Sequence, residues 1–270
     1  QSVKIIIGNM IIAIDIGNTN IKIGVFNGDE LINAFRFSVR TSHTADEFGV
    51  NLRMVMSDSK LSASDIDGVI ISSVQPELNY TVEHACKYYL GRSPMIVGVG
   101  IKTGLNIKYT NPQELGADRI VNSVAAYRLY GAPCIVVDFG TATVFNYVAA
   151  GGEYMGGCIA PGIKTSLDSL VEKTAKLPSI ELIKPERIIN RTTGTNMQAG
   201  LIYGFAGLVK YIIEQMKKEC GAADVKVVAT GGLSEVVKAV LQEKIIDVTD
   251  RSLTLKGLKI IYDSNIGKGG

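Results

Sequence analysis

The sequence predicts an α/β protein in which one plan is carried out twice. Two observations lead there. An apolar strand runs into an aspartate, a glycine and hydroxyl-bearing turn and a second strand at Ile11 (IIAIDIGNTNIKIGVF), and the same succession returns at Cys134 (CIVVDFGTATVFNYV). At 270 residues the chain is also long enough for two domains of about 100–150 residues, each with a sizeable core.

The paired hairpins read as phosphate-binding turns. Gly17 and Gly140 remove the Cβ that would block a backbone approach, so nearby N–H groups and the hydroxyls of Thr19, Thr141 and Thr143 can face phosphate oxygens. Asp15 and Asp138, one per copy, are then placed to hold a cation beside those oxygens. A single copy could merely tie down a turn. Two copies in one chain favour the functional reading.

The remaining elements follow from local signals. After the first hairpin, Asn27-Gly28 favours a type I′ turn into the alternating strand LINAFRFSV. Thr44 to Glu47 has the form of a capping box, and Phe48, Leu52 and Val55 fall near helical spacing, so a helix of about four turns follows. Ile66 to Ser72 reads as a buried strand, Pro76 opens a helix through Leu90, and Pro94 to Gly98 reads as another strand. A helix from about Gly116 to Tyr130 leads to strands at Cys134, Thr143 and Tyr154 to Ile159, then to helices, with a long one from about Thr195 to Cys220. VKVVATGG reads as a strand whose glycine pair enters a helix, a common way to seat a nucleotide. The βββαβα succession, present twice and joined by a helix, describes two tandem ribonuclease-H-like domains with a cleft between them. Their boundary is expected near Gly116 to Gly131, which gives domains of 10–118 and 119–265.

Composition narrows the function. The 28 basic and 26 acidic residues are spread along the chain, so nothing points to nucleic acid. Cys86, Cys134, Cys158 and Cys220 are widely spaced with no C-x-x-C, as expected of thiols in a reducing cytoplasm. His43 and His84 stand in polar and helical contexts and read as structural, which argues against a zinc enzyme or a Ser-His-Asp hydrolase. No run approaches the roughly 20 apolar residues of a membrane helix, so a soluble, cytoplasmic protein is expected. Met10 would make a natural start to the first strand, and residues 1–9 read as an extension, native or added.

Two kinase-like signatures are discarded. GCIAPGIKT, Gly157 to Thr165, nearly matches a P-loop, but Ile163 between the second glycine and Lys164 shifts the lysine out of register. Asp138-Phe139-Gly140 resembles the metal-binding triplet of protein kinases, yet the chain has no H-R-D and no G-x-G-x-x-G.

A third constellation is Gly116-Ala117-Asp118-Arg119, after an extended segment with Tyr109 and Asn111-Pro112. An acidic residue in a first helical turn meets the positive end of the dipole, which is one reading. The other is a carboxylate that accepts a proton from a substrate hydroxyl, with Arg119 beside it for an anionic group. Its place between the two domains favours the second.

DIGNTNIKIGVF, GADR after a tyrosine, DFGTAT, GGCIAPGI, TTGTNMQAG and ATGG occur in the order and approximate spacing found in type III pantothenate kinases. From Met10 to Asn265 the chain resembles that family, which belongs to the acetate and sugar kinase, Hsp70 and actin (actin-like ATPase) superfamily. The resemblance implies ATP-dependent phosphorylation of pantothenate, the first step of coenzyme A synthesis. It also implies a cytoplasmic homodimer using ATP with Mg²⁺ or another divalent ion and a monovalent cation, K⁺ or NH₄⁺. By position it implies a nucleotide loop at Asp15, Ile16, Gly17, Asn18, Thr19, Asn20, Ile21 and Lys22, and a second phosphate contact at Thr141. It further implies a monovalent-cation ligand at Asp138, a proton acceptor at Asp118, and pantothenate contacts at Tyr109, Gly116, Ala117, Asp118, Arg119 and Thr193.

Two positions depart from the family pattern: Asn146 replaces a common aspartate at the end of the second hairpin, and Thr192 a common asparagine beside Thr193. Gly200, Gly204 and Gly207 leave small positions along the long helix, at roughly 1 kcal/mol each in propensity. They pack either within the chain or, as the resemblance implies, at a subunit interface. A kinase for another small hydroxylated substrate and a nucleotide-binding regulator that hydrolyses ATP slowly are the alternative functions. GADR favours the kinase, since a regulator needs no substrate-hydroxyl base.

Overall fold

The computed structural model describes residues 8–39, 44–222, 224–241 and 244–266, so the first seven residues and His43 lie outside the described residues. Contacts divide the chain into two compact units. In chain order the elements are β1 (Met10–Ile16), β2 (Asn20–Asn27), β3 (Glu30–Ser38), α1 (Ala45–Asp58), β4 (Gly68–Ser73), α2 (Pro76–Ala85), β5 (Met95–Ile96) and β6 (Asn106–Ile107). They continue as α3 (Ala117–Tyr130), β7 (Cys134–Phe139), β8 (Ala142–Val148), β9 (Glu153–Pro161), α4 (Ile163–Lys173), α5 (Thr193–Cys220), β10 (Lys226–Gly231), α6 (Ser234–Lys238), β11 (Val248–Thr249) and α7 (Leu253–Asn265).

The first unit holds the chain through Gly104, Asn111–Ala125 and the chain from Leu253. Its sheet runs β3-β2-β1-β4-β5, with β1 antiparallel to β2 and parallel to β4. Every residue of β1 is buried, which explains a nearly unbroken apolar strand. Alternation sends Ile12, Ile14 and Ile16 into a core with Phe48, Leu52 and Val55 of α1. Thr44 caps α1 as expected: its hydroxyl accepts from the Glu47 N–H at 3.2 Å, and the Glu47 carboxylate accepts from the Thr44 N–H at 2.9 Å. Helix α2 starts on Pro76 and continues through a π turn at Cys86–Leu90, so the expected helix to Leu90 is present.

The other face of β1, β2 and β4 lies under α7. That packing needs small residues. A Cβ on Gly24 would stand 3.0 Å from Leu255, and one on Gly257 would stand 2.3 Å from the Val121 carbonyl oxygen. Because α7 returns from the chain end to the first sheet, and Leu105–Thr110 belongs to the second unit, the contacts divide the chain less simply than a single boundary at 118/119 would. Nothing local in the α7 sequence records which sheet its apolar face covers.

The second unit comprises Leu105–Thr110 and Ala126–Ser252, with sheet order β11-β10-β7-β8-β9-β6. Again the central strand, β7, is antiparallel to the next strand and parallel to a later one, β10. Ile135, Val137, Phe139, Val227 and Ala229 face α4 and α5 through Leu167, Met197, Leu201, Phe205 and Val209. The opposite face of β7, β8 and β10 carries Val136, Asp138, Val144, Asn146, Val228 and Thr230.

Several local expectations change. Asn27 pairs with Glu30, so Gly28 and Asp29 form the turn; Gly28 has φ +57° while Asp29 is not left-handed, which excludes type I′. Asn146 lies inside β8, not at its end. Helix α5 begins two residues early because Thr192 is its N-cap, accepting from the Thr195 N–H at 3.3 Å. Among the described residues no helix is long and apolar enough to cross a membrane, and all four cysteines are free.

Gly257→Ala should destabilise the fold by about 1–3 kcal/mol, because the added methyl meets backbone rather than a movable side chain. The urea unfolding midpoint measures it, and an unchanged midpoint would mean that α7 is not held against Val121.

Candidate active site

In the first unit the site begins with a row across three strands. Register sets Lys22 of β2 and Ser72 of β4 on either side of Asp15 of β1. The Lys22 Nζ stands 3.3 Å from Asp15 Oδ2, and the Ser72 hydroxyl donates to Asp15 Oδ1 at 3.3 Å. Asp15 and Ser72 are buried. Both oxygens of this buried carboxylate are thereby engaged, as a buried polar group requires.

Above this row the hairpin turns through Gly17 to Asn20. The Gly17 N–H donates to the Asn20 carbonyl at 3.0 Å, and a Cβ on Gly17 would press to 3.1 Å from the same oxygen. The Gly17 N–H is therefore spent on closing the hairpin, which leaves the exposed Asn18 and Thr19 at its tip. Ile16 and Ile21, within the expected nucleotide loop, point into the apolar core and can offer a ligand only backbone. Gln75 reaches the turn from the end of β4, donating its Nε2 to the Asn18 carbonyl at 3.3 Å.

Asp118 stands at the start of α3 in the same unit. The Arg119 N–H donates to its Oδ1 at 2.8 Å, and the missing Cβ of Gly116 would lie 2.6 Å from that oxygen, so Gly116 makes room for the carboxylate. Burial pushes the Asp118 pKa above its usual value, and the Asp15 carboxylate raises it further. The Arg119 N–H and guanidinium and the Lys22 ammonium pull the other way without cancelling the rise. Ala117 is the first residue of α3, and Arg119 is buried. The structure thus brings Asp15, Lys22, Asp118 and Arg119 into one electrostatic neighbourhood. A carboxylate with a raised pKa is a better proton acceptor than an ordinary aspartate.

In the second unit Asp138 takes the place on β7 that Asp15 has on β1, with Val144 of β8 and Thr230 of β10 as its neighbours. The Gly140 N–H closes its turn on the Ala142 carbonyl at 3.1 Å. Thr141 is exposed, and its carbonyl accepts from the Gly162 N–H at 3.1 Å and the Thr165 hydroxyl at 2.6 Å. A Cβ on Gly162 would stand 2.3 Å from that carbonyl oxygen. The segment that nearly matches a P-loop thus clamps the Gly140-Thr141 turn from behind. Thr143 does not face a ligand: it is buried, and its hydroxyl has no hydrogen-bond partner among the described residues.

Tyr109, just beyond β6, sets its ring 6.2 Å from that of Tyr154, whose hydroxyl donates to Asn146 Oδ1 at 2.8 Å. Thr193, the first residue of α5, is exposed. Sequence reasoning missed Ser72, Gln75, Gly162 and Thr230. Ser72 and Thr230 carried one available signal: each is a hydroxyl near the carboxyl end of a buried strand, in GVIISS and KVVATG.

Oxygen donors suit both groups the family would add. Asp15, with both oxygens engaged, fits Mg²⁺ through its water shell, since that ion keeps several waters. Asp138 fits an alkali ion, with the buried Thr230 hydroxyl beside it lacking a hydrogen-bond partner among the described residues.

The architecture recurs in solved structures. A protein from Campylobacter jejuni, described under the Baf family of transcriptional activators, superposes with a TM-score of 0.59 at 19% identity, over 94% of this chain and 98% of that one. Component A of (R)-2-hydroxyglutaryl-CoA dehydratase from Acidaminococcus fermentans gives 0.51 at 12% identity, over 93% and 95%. The inorganic polyphosphate/ATP-glucomannokinase from Arthrobacter sp. strain KM gives 0.50 at 13% identity, over 95% and 100%. The fold is therefore the ribonuclease-H-like one of the actin-like ATPases and sugar kinases. Within it, the family model of type III pantothenate kinase matches residues 11–215, and the chain belongs to that family. It is a phosphotransferase that uses ATP to phosphorylate pantothenate in coenzyme A synthesis.

The raised pKa of Asp118 fixes the sign of a stability effect. A carboxylate whose folded pKa exceeds its unfolded value burdens the fold above that pKa and ceases to do so as the pH falls through it. Asp118→Asn should therefore gain most over the parent at neutral pH, with the difference closing on acidification. Urea titrations across pH measure it, and a gap that widens on acidification would contradict the assignment.

Proposed function

We propose that Asp118 is the proton acceptor of pantothenate phosphorylation. The observation that carries this reading is its half-buried carboxylate, held by the Arg119 N–H beside Asp15 and Lys22. The pantothenate hydroxyl attacks the γ-phosphorus of ATP in line, the bond from that phosphorus to the β–γ bridging oxygen breaks, and the hydroxyl proton passes to Asp118. ADP leaves with the bridging oxygen. Tyr109, Gly116, Ala117, Arg119 and Thr193 position pantothenate.

The turn amides of Asn18, Thr19 and Thr141 meet the phosphates, with Lys22 and Asn20 holding the first turn in place. Asp15 would hold Mg²⁺ through the ion's water shell, and the ion would supply neutralisation of charge on the phosphoryl oxygens. Asp138 holds the monovalent cation, K⁺ or NH₄⁺. Four free cysteines support a reducing cytoplasm as the place of action.

The exposed glycines of α5 support a homodimer. Among the described residues nothing lies within 4 Å of a Cβ placed on Gly200, Gly204 or Gly207, and Tyr211, further along the same face, is 63% exposed. Packing against the described residues therefore does not account for them, and a closed two-fold contact is the commonest way to cover such a face.

Asp118→Asn should lower kcat by about 10²–10⁴ with ATP binding little changed, measured by pantothenate-dependent ADP release. Near-parental kcat would reduce Asp118 to a helix-end residue. If Thr193 serves a site shared across the dimer, mixing Asp118→Asn subunits with Thr193→Phe subunits should restore activity. Mixtures that stay inactive despite verified subunit exchange, or a purely monomeric parent in light scattering, would refute the shared site.

A further inference from the structure

Asn146, Tyr154 and Tyr109, all in the second unit, stand in series. Asn146 is buried on β8, on the sheet face that also carries Asp138, and its Oδ1 accepts from the Tyr154 hydroxyl at 2.8 Å. Tyr154, on β9, is fully buried, and its ring centroid lies 6.2 Å from that of Tyr109 at an interplanar angle of 56°. That separation is within the range of favourable aromatic pairs. Tyr109 is half-buried, so part of its side chain stays reachable from solvent.

The backbone around Tyr154 is shaped for this contact. Tyr147 of β8 pairs with Gly156 and Val148 with Tyr154, which leaves Met155 as the extra residue of a β-bulge. Gly156, just past the bulge, has φ +113°, and a Cβ on it would stand 3.8 Å from the Tyr109 ring. On the β6 side, Ile107 pairs with Tyr154, and the Lys108 N–H donates to the Tyr154 carbonyl at 2.9 Å. Tyr154 thus holds the backbone just before Tyr109 through its carbonyl, and meets the Tyr109 ring with its own. Bulges re-aim side chains in this way beside active sites.

We infer that Tyr154 is a positioning residue of pantothenate phosphorylation: anchored by Asn146, it holds the Tyr109 ring in the orientation that meets pantothenate. This rests on the reading of Tyr109 as a pantothenate contact. A side chain ordered before the substrate arrives spares binding the cost of ordering it. Being fully buried, Tyr154 acts through Tyr109 rather than by touching substrate.

The test compares the parent with Tyr109→Leu, Tyr154→Phe, Tyr154→Leu and the double variant Tyr109→Leu/Tyr154→Leu, by thermal midpoint, kcat, and KM for pantothenate and for ATP. Tyr109→Leu should raise the pantothenate KM. Tyr154→Leu should raise it about two- to tenfold, the range that ordering one side chain covers, with kcat and the ATP KM near parental. Tyr154→Phe keeps the ring and loses the bond to Asn146, so its rise should be about twofold, the low end of that range. The double variant should match Tyr109→Leu alone in pantothenate KM, since Tyr154 then has no ring to hold. A residue that only supports the fold would lower the thermal midpoint without that coupling.

Tyr154→Leu with the parental pantothenate KM overturns the inference, as do effects that multiply in the double variant or a rise shared equally by the ATP KM. Tyr154→Phe indistinguishable from the parent overturns the anchoring by Asn146. If the leucine variants of Tyr154 do not fold, Tyr154→Phe and its combination with Tyr109→Leu decide the inference by the same criteria. A parental pantothenate KM in Tyr109→Leu is a different failure, which sinks the reading of Tyr109 as a substrate contact.

Discussion

The first unit is organised around a buried carboxylate, Asp15, near the end of a strand buried on both faces. β1 is the central strand of its sheet and Asp15 is buried on it, whereas Asp138 on β7 is half-buried. Neighbouring strands must answer Asp15, and strand pairing fixes which residues do. Lys22 and Ser72 reach Asp15 because β2 and β4 pair with β1 in one register. A slip of one residue would turn Asp15 into the isoleucine core and bring Ile14 or Ile16 to the functional face. Hydrophobic burial therefore selects the register, and the register selects the chemistry.

Glycines do a second job, letting backbone and charge come closer than side chains allow. Gly162 approaches the Thr141 carbonyl so closely that any Cβ would collide, and with Thr165 it braces the Gly140-Thr141 turn. Gly116 leaves the space into which the Asp118 carboxylate folds. A turn that must present amides to an anion gains from such bracing, because groups fixed before the ligand arrives need no reorganisation when charge develops.

Much of this was legible because it is local or repeated. The two strand-aspartate-turn-strand runs, the Thr44 capping box and Pro76 at a helix start each carry their signal within a few residues. The destination of α7 was not legible, since an amphipathic helix does not record which sheet it covers. The parallel neighbours were equally hidden: Ser72 and Thr230 lie 57 and 92 residues from their aspartates, and register appears only once the strands are paired. The Asn27-Gly28 turn failed for a one-residue reason, because Asn27 is the last paired residue and the turn falls on Gly28-Asp29. Thr143 failed by alternation, since a position next to a phosphate turn can still face the core.

Asp15 and Asp118 differ in what touches each. Asp15 has the Lys22 ammonium on one oxygen and the Ser72 hydroxyl donating to the other. Asp118 has one backbone donor, and its burial and the nearby Asp15 charge both favour its protonated form. Lys22 acts on both sides of this balance, pairing directly with Asp15 and holding back the rise at Asp118.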